Sequence, residues 1–232
     1  MRVHSLLVAA CAALACMHAA HAERSTLGDA ADVVEAGDCE IETTVSRQTA
    51  RGTRPEQEKS IQLACGVGFM TEVTVGVARR GDGGASESEF GLEGKTTLRS
   101  RTDGRAGWAL AYGVTGLRAQ RGAWRGGEHF VAVEASYQPS PDWATEAMLG
   151  TSRHRALRHD STIWLLAVER ALIRDQLEGR AELSGDDRNH PKLELSLRFA
   201  IKPENASLRL AYAIKAGPQR ERQVRLGLIF GF

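Results

Sequence analysis

Between Lys192 and Lys202 the chain reads KLELSLRFAIK, and apolar and polar positions alternate along it. Leu193, Leu195, Leu197, Phe199 and Ile201 share one parity; Lys192, Glu194, Ser196, Arg198 and Ala200 share the other. In an extended strand the two sets point to opposite sides of the sheet. Residues 206–215 repeat the scheme, with Leu208, Leu210, Tyr212 and Ile214 against Arg209, Ala211, Ala213 and Lys215.

The same period of two recurs from Cys39 to the C-terminus, and helical spacing does not. Ile41, Thr43 and Val45 alternate with Glu40, Glu42 and Thr44; Ile61, Leu63, Cys65 and Val67 form the next face, then Val73, Val75 and Val77. Phe90, Leu92 and Leu98 oppose Glu93, Lys95 and Arg99, and Trp108, Leu110, Tyr112 and Val114 alternate with small residues. Val131, Val133 and Tyr137 surround Glu134, and Trp143, Ala147 and Leu149 surround Glu146. The stretch STIWLLAVERAL, residues 161–172, is apolar on both parities, so its orientation stays open. Leu177, Ala181 and Leu183 restore the alternation, and Val224, Leu226, Leu228, Phe230 and Phe232 carry it to the end. The pattern predicts about twelve strands, each near the roughly 9–11 residues that a tilted membrane strand needs.

Connections divide into two kinds. Polar stretches such as RQTARGTRPEQEKS, RRGDGGASES and RAQRGAWRGGEH come after odd strands, and tighter ones such as GVGFMT, QPSPD and KPENA come after even strands. Long loops on one side and short turns on the other are the pattern of bacterial outer-membrane barrels, with both termini in the periplasm. An even strand number closes the sheet and leaves no edge. The expected fold is all-β: a closed, antiparallel, up-and-down transmembrane barrel over residues 38–232. A soluble sandwich or lipocalin-like barrel is the rival, with the apolar face turned inward. The terminal Phe232 speaks against it, because soluble chains usually end in solvated residues. Trp108, Tyr112, Tyr137, Trp143, Trp164 and Tyr212 are candidates for interfacial girdles.

The N-terminus sets the compartment. A short basic start, the apolar stretch Ser5 to Met17 and Ala20-His21-Ala22 before Glu23 read as a secretory signal peptide over residues 1–22. A lipoprotein signal using Cys11 or Cys16 is the alternative, but Ala13-Leu14-Ala15 matches it poorly. Residues 23–37 then form a periplasmic lead-in. The 232-residue chain has a formal net charge of +1, which gives no sign of a nucleic-acid partner. Its quarter share of charged residues suits a barrel, where only alternate residues face lipid.

Two cysteines remain in an oxidising compartment. A hairpin of the first two strands centred near Gly52 sets Ile41 against Leu63 and Cys39 against Cys65, which predicts a disulfide. No histidine stands at ligand spacing beside either cysteine, and no metal or other cofactor is expected.

The lead-in LGDAADVVEAGDCEIETTVSRQ and the segment GVGFMTEVTVGVARR resemble the outer-membrane barrel proteins grouped as phenol meta-degradation-pathway or transporter-like proteins. That resemblance covers the first third of the mature chain. It implies an outer-membrane location and uptake of small, including aromatic, compounds. The terminal strand with Phe230 and Phe232 resembles the signal read by the barrel-assembly machinery of Gram-negative bacteria.

Catalytic readings are weaker. His159-Asp160-Ser161 with His154 has the residue types of a hydrolase triad, but sequence neighbours on a loop rarely adopt triad geometry, so no enzyme is expected. A spacing of five suits neither a helix face nor a strand face for a metal pair at His154 and His159. GDDRNH, residues 185–190, could bind a cation or lipopolysaccharide phosphates, with a solvated turn as the plainer account. Arg80-Gly81-Asp82 matches an adhesion tripeptide that arises often by chance.

The parity places Glu40, Glu42, Glu93, Lys95, Arg99, Glu134, Glu146, Glu194, Arg198, Arg209, Lys215 and Arg225 on the lumen side. Closure would bring Arg225 near Glu40 or Glu42. Barrels of about 8 strands fill with side chains and those of 16–18 leave a channel, and twelve lies between. The opposite charges either satisfy one another or line a narrow path for small polar or anionic solutes, and small residues such as Gly107, Ala109, Ala111, Gly113, Ala211 and Ala213 leave room for the path. The expected function is a monomeric channel or small-molecule transporter, in contact with outer-membrane lipid and lipopolysaccharide. The alternatives are a blocked barrel whose loops recognise surfaces and, last, a membrane-embedded hydrolase.

Overall fold

The computed structural model describes residues 31–101, 105–120, 122–154, 159–202, 205–217 and 220–232. The signal-peptide segment and residues 23–30 of the lead-in lie outside them. Twelve strands succeed one another in the described chain: β1 Cys39–Thr49, β2 Glu56–Gly68, β3 Thr71–Gly81, β4 Ser86–Arg99, β5 Gly107–Ala119, β6 Arg125–Ser140, β7 Trp143–His154, β8 His159–Ile173, β9 Leu177–Asp186, β10 Lys192–Lys202, β11 Ala206–Lys215 and β12 Glu221–Gly231. Each pairs antiparallel with its sequence neighbours, and β12 pairs with β1 to close the barrel.

The wall is inverted relative to a soluble core. Leu195 and Leu210 on the outer face are 53% and 46% exposed, whereas Arg209 and Glu194 inside are 5% and 4%. A sheet that turns leucine outward and buries arginine is stable only where its surroundings are apolar, and the transmembrane reading therefore holds over the sandwich. The six girdle candidates all lie on the outer parity, since Trp108, Tyr112, Tyr137, Trp143 and Tyr212 are each exposed and Trp164 pairs with outward Leu149.

Pairing settles the ambiguous stretch. Glu146 pairs with Ala167 and Leu149 with Trp164, so Ile163, Leu165 and Ala167 face the lumen while Trp164, Leu166 and Val168 face out. Both faces are apolar here because β8 places a short greasy patch inside the barrel. Hydrophobic periodicity cannot distinguish the two sides of such a strand.

The strands run longer than expected, from 10 residues in β9 to 16 in β6. Most stretches read as long loops are strand continuations: Arg47 pairs with Gln57, and Arg80 with Glu87. Where both faces meet water the alternation fades, yet backbone pairing persists because it does not depend on side-chain polarity. The length difference between the two ends is correspondingly small. On the terminus-bearing side, GVGFMT shrinks to a two-residue turn in which Phe69 and Met70 have φ of 52° and 56°. Paired positive φ matches the right-handed strand twist, although neither residue type announces it.

Cys39 and Cys65 are cross-strand partners and form a disulfide, with their Cα atoms 4.1 Å apart. It fastens β1 to β2 at the end of the barrel where β1 begins and β12 ends. There Cys39 N–H donates to the Phe232 carbonyl and Phe232 N–H donates to the Cys39 carbonyl, each at 2.9 Å. The Phe230 and Phe232 rings stack with centroids 6.3 Å apart.

Candidate functional site: a charged lumen with an inserted lead

Inward parity places a dense ionic layer between β7 and β12. Arg180 Nη1 lies 2.8 Å from Glu146 and 3.6 Å from Glu169, and its Nη2 lies 3.3 Å from Glu182. With the Arg180 side chain only 6% exposed, three carboxylates share one buried guanidinium. Glu194 is the hub of a second group: Arg225 at 3.3 Å, Lys192 at 3.3 Å and Arg209 at 3.8 Å converge on it. Arg198 pairs with Glu178 on the neighbouring strand. Charges drawn from alternate positions of separate strands meet because inward side chains are long and the wall beneath them is small. Ala211 and Ala213 on β11 are buried, as are Ala109 and Ala111 on β5, so the room expected over these four residues is taken up.

Two expected placements are corrected. Arg225 stands opposite Ser46 and Ala211 in the register and reaches Glu194, not Glu40 or Glu42. Glu42 instead faces Ile229 across the closure and accepts a bond from Thr44 Oγ1 at 3.3 Å. Arg99 leaves the lumen: a bulge between Thr97 and Arg99 pairs it with outward Trp108. An extra residue in one strand reverses the parity of every residue beyond it.

The other side of the lumen is acidic and more open. Glu93 and Lys95 face inward on β4, opposite Thr74 and Glu72 of β3. Glu134 is buried opposite Ala109, and Glu40 opposite Ala64. A cavity of about 50 Å³ lies among Ser60, Gln62, Thr74, Glu89 and Glu93. A β-carbon on Gly113 would lie 2.6 Å from the Phe130 ring, which therefore covers the lumen wall beside Glu93. Two larger depressions, about 570 and 520 Å³, are framed by outward side chains such as Leu166 and Leu183, and Leu195 and Leu210, and belong to the lipid side. Lys215 stays on the inward parity at the far rim, paired with Glu221 and Lys192.

The lead enters the mouth at the terminus-bearing end. Ala31 and Val34 are 0% and 3% exposed. Ala31 N–H donates to Ser136 Oγ of β6 at 3.0 Å, and Thr97 Oγ1 of β4 donates to its carbonyl at 2.6 Å. Val34 N–H donates to Glu72 of β3 at 2.9 Å, and Arg101 N–H donates to Asp32 at 3.1 Å. Nearer the disulfide, Gly66 N–H donates to the Asp38 carbonyl at 3.0 Å. A β-carbon at Gly66 would lie 2.1 Å from the Glu35 carbonyl oxygen, so the lead can pass here only because residue 66 is glycine. These contacts are not legible in the sequence, since each partner is one polar residue on a distant strand.

The remaining motifs resolve into local roles. His154 and His159 are direct cross-strand partners whose rings stack 5.9 Å apart, so a spacing of five does bring them together, across a hairpin. Asp160 pairs outward with Arg153 at 3.6 Å, whereas Ser161 is buried on the inward parity, and triad geometry is impossible with acid and hydroxyl on opposite sides of the wall. Asp186 accepts from the N–H groups of Arg188 and Asn189, both at 2.7 Å, which makes GDDRNH a self-capped turn. In the tripeptide, Arg80 points inward to Glu58 at 2.8 Å. Asp82 accepts from Ala85 and Gly84, and those backbone N–H groups hold its carboxyl below the usual range. Among the described residues no cluster of three or more metal-ligating side chains occurs.

Solved structures of similar shape include porins and an outer-membrane channel. The KdgM porin in complex with disordered oligogalacturonate superposes with a TM-score of 0.65 at 7% identity, covering 83% of this chain and 99% of that one. The COG4313 outer membrane channel from Pseudomonas putida F1 gives 0.65 at 8% identity over 90% of this chain and 100% of that one. The NanC porin gives 0.59 at 11% identity over 81% and 98%. At such identities the likeness is one of fold. A search of curated protein sequences finds no match. The family model described as Uncharacterised conserved protein UCP029691 matches residues 10–228, and the chain belongs to that family.

Proposed function

We propose that this protein is a monomeric outer-membrane channel, with both termini on the periplasmic side, that passes small polar solutes and prefers cations. The observation that carries the reading is the sorting of charge by face at the end away from the termini. Glu58, Glu89, Glu128 and Glu221 lie on inward parities there, and Glu93 comes next, deeper along β4. Of the inward bases at that end, Arg80 is paired with Glu58 and Lys192 with Glu194, and Lys215 stands opposite Glu221. A vestibule lined with carboxylates in a low-dielectric wall concentrates cations and repels anions. That favours cationic over the anionic solutes expected from sequence, and polar over aromatic ones. The shared fold with porins, and the resemblance of the first strands to transporter-like barrels, support transport in general.

Planar-bilayer recording in a salt gradient tests it. The reversal potential is expected to show cation preference, and Glu89→Gln with Glu93→Gln is expected to move it toward zero. Anion preference, or no conductance with the lead removed, would sink the channel. The second reading, a barrel with a blocked lumen whose outer segments recognise surfaces, is favoured by one observation: residues 31–38 already fill part of the mouth. The same recording distinguishes them.

A further inference from the structure

A further set of bases at the same end stands on the outside of the wall. Lys59 of β2 pairs with Arg79 of β3, Arg79 with Ser88 of β4, and Ser88 with Arg118 of β5, so one cross-strand row on the outer face carries three cations. The adjacent row toward the middle of the barrel is Ile61, Val77, Phe90 and Gly116. The cations therefore stand one side-chain repeat, about 7 Å, beyond the apolar belt. Arg47 of β1 and Arg222 of β12 extend the collar past Val45 and Val224.

Like charges directly opposite each other on neighbouring strands are unfavourable, and Lys59 faces Arg79. Among the described residues no carboxylate forms an ion pair with Lys59, Arg79 or Arg118. Arg79 donates to Ser86 Oγ at 3.3 Å, and Arg118 donates to the Gly122 carbonyl at 3.2 Å while its guanidinium lies 5.9 Å from the Trp124 ring centroid. All three are exposed. The glutamates of the same strand segments, Glu58, Glu87 and Glu89, lie on the inward parity and cannot reach them.

We propose that Lys59, Arg79 and Arg118 form a lipopolysaccharide site, holding the phosphates of lipid A while its acyl chains lie along Ile61, Val77 and Phe90. An anion between Lys59 and Arg79 turns their repulsion into two charge-assisted hydrogen bonds. Phosphate at the end of a bundle of acyl chains fits a cationic row bordering an apolar wall. The proposal rests on the outward placement of this end, not on conduction through the lumen.

The test is native mass spectrometry of the detergent-purified protein with three probes: bisphosphorylated lipid A, its dephosphorylated form and phosphatidylglycerol. Wild-type protein is expected to retain bisphosphorylated lipid A over both others. Lys59→Gln, Arg79→Gln and Arg118→Gln are each expected to weaken retention roughly tenfold, with heat-modified gel mobility confirming a folded barrel. Unchanged retention in the folded triple variant overturns the site, as does equal retention of the dephosphorylated form or of phosphatidylglycerol. Loss of conductance with lipid A retention intact would count against the channel alone.

Discussion

Thr97 donates its hydroxyl to the carbonyl of Ala31 at 2.6 Å, tying the lead to the inner wall of β4. A segment held inside a mouth by a few such bonds is expected to act as a stopper whose release is set by their sum. Thr97→Val removes one bond, worth about 1 kcal/mol, and is expected to raise the released population about fivefold. Gly66→Leu is expected to expel residues 34–36 outright. Single-channel recording checks both as longer or more frequent high-conductance states. Unaltered traces in Gly66→Leu would show that the lead does not obstruct flow.

The Cys39–Cys65 bond closes a sequence separation of 26 residues. Its removal by Cys39→Ser with Cys65→Ser is expected to cost about 3 kcal/mol through the freed unfolded ensemble. Reductant is expected to have the same effect on wild type and none on the variant. The midpoint of urea unfolding in vesicles measures it.

Arg180 balances Glu146, Glu169 and Glu182 inside the wall. Arg180→Met leaves buried carboxylates without their cation and is expected to destabilise the barrel by about 3–5 kcal/mol. Adding Glu146→Gln and Glu182→Gln is expected to restore much of that loss. A triple variant no more stable than the single one would mean that Arg180 matters for packing and not charge.

Leu210→Arg places a cation on the lipid face and is expected to cost about 2–4 kcal/mol if the position lies near the midplane. Ala211→Ser, one residue along on the inner face, is expected to cost far less. Unfolding from vesicles compares the two; equal losses would contradict the assignment of faces.

How much of the molecule is legible in its sequence depends on which interactions are local. A disulfide between Cys39 and Cys65 is readable because a hairpin register relates residues by simple reflection. The strand faces are readable because pleating has a period of two wherever one side meets lipid and the other does not. The same logic fails at Arg99, where one bulged residue reverses parity, and along residues 161–172, where both sides are apolar.

The sequence by itself pointed to the inverted, closed wall, since an alternating chain set in lipid can satisfy its backbone only by pairing around a ring. Tertiary structure decided who meets whom within it. Arg225 finds Glu194 two strands away, Arg180 gathers three carboxylates, and Ala31 reaches Ser136 on a strand distant from the first. Those contacts depend on stagger, side-chain reach and curvature summed over many strands. No local period encodes them.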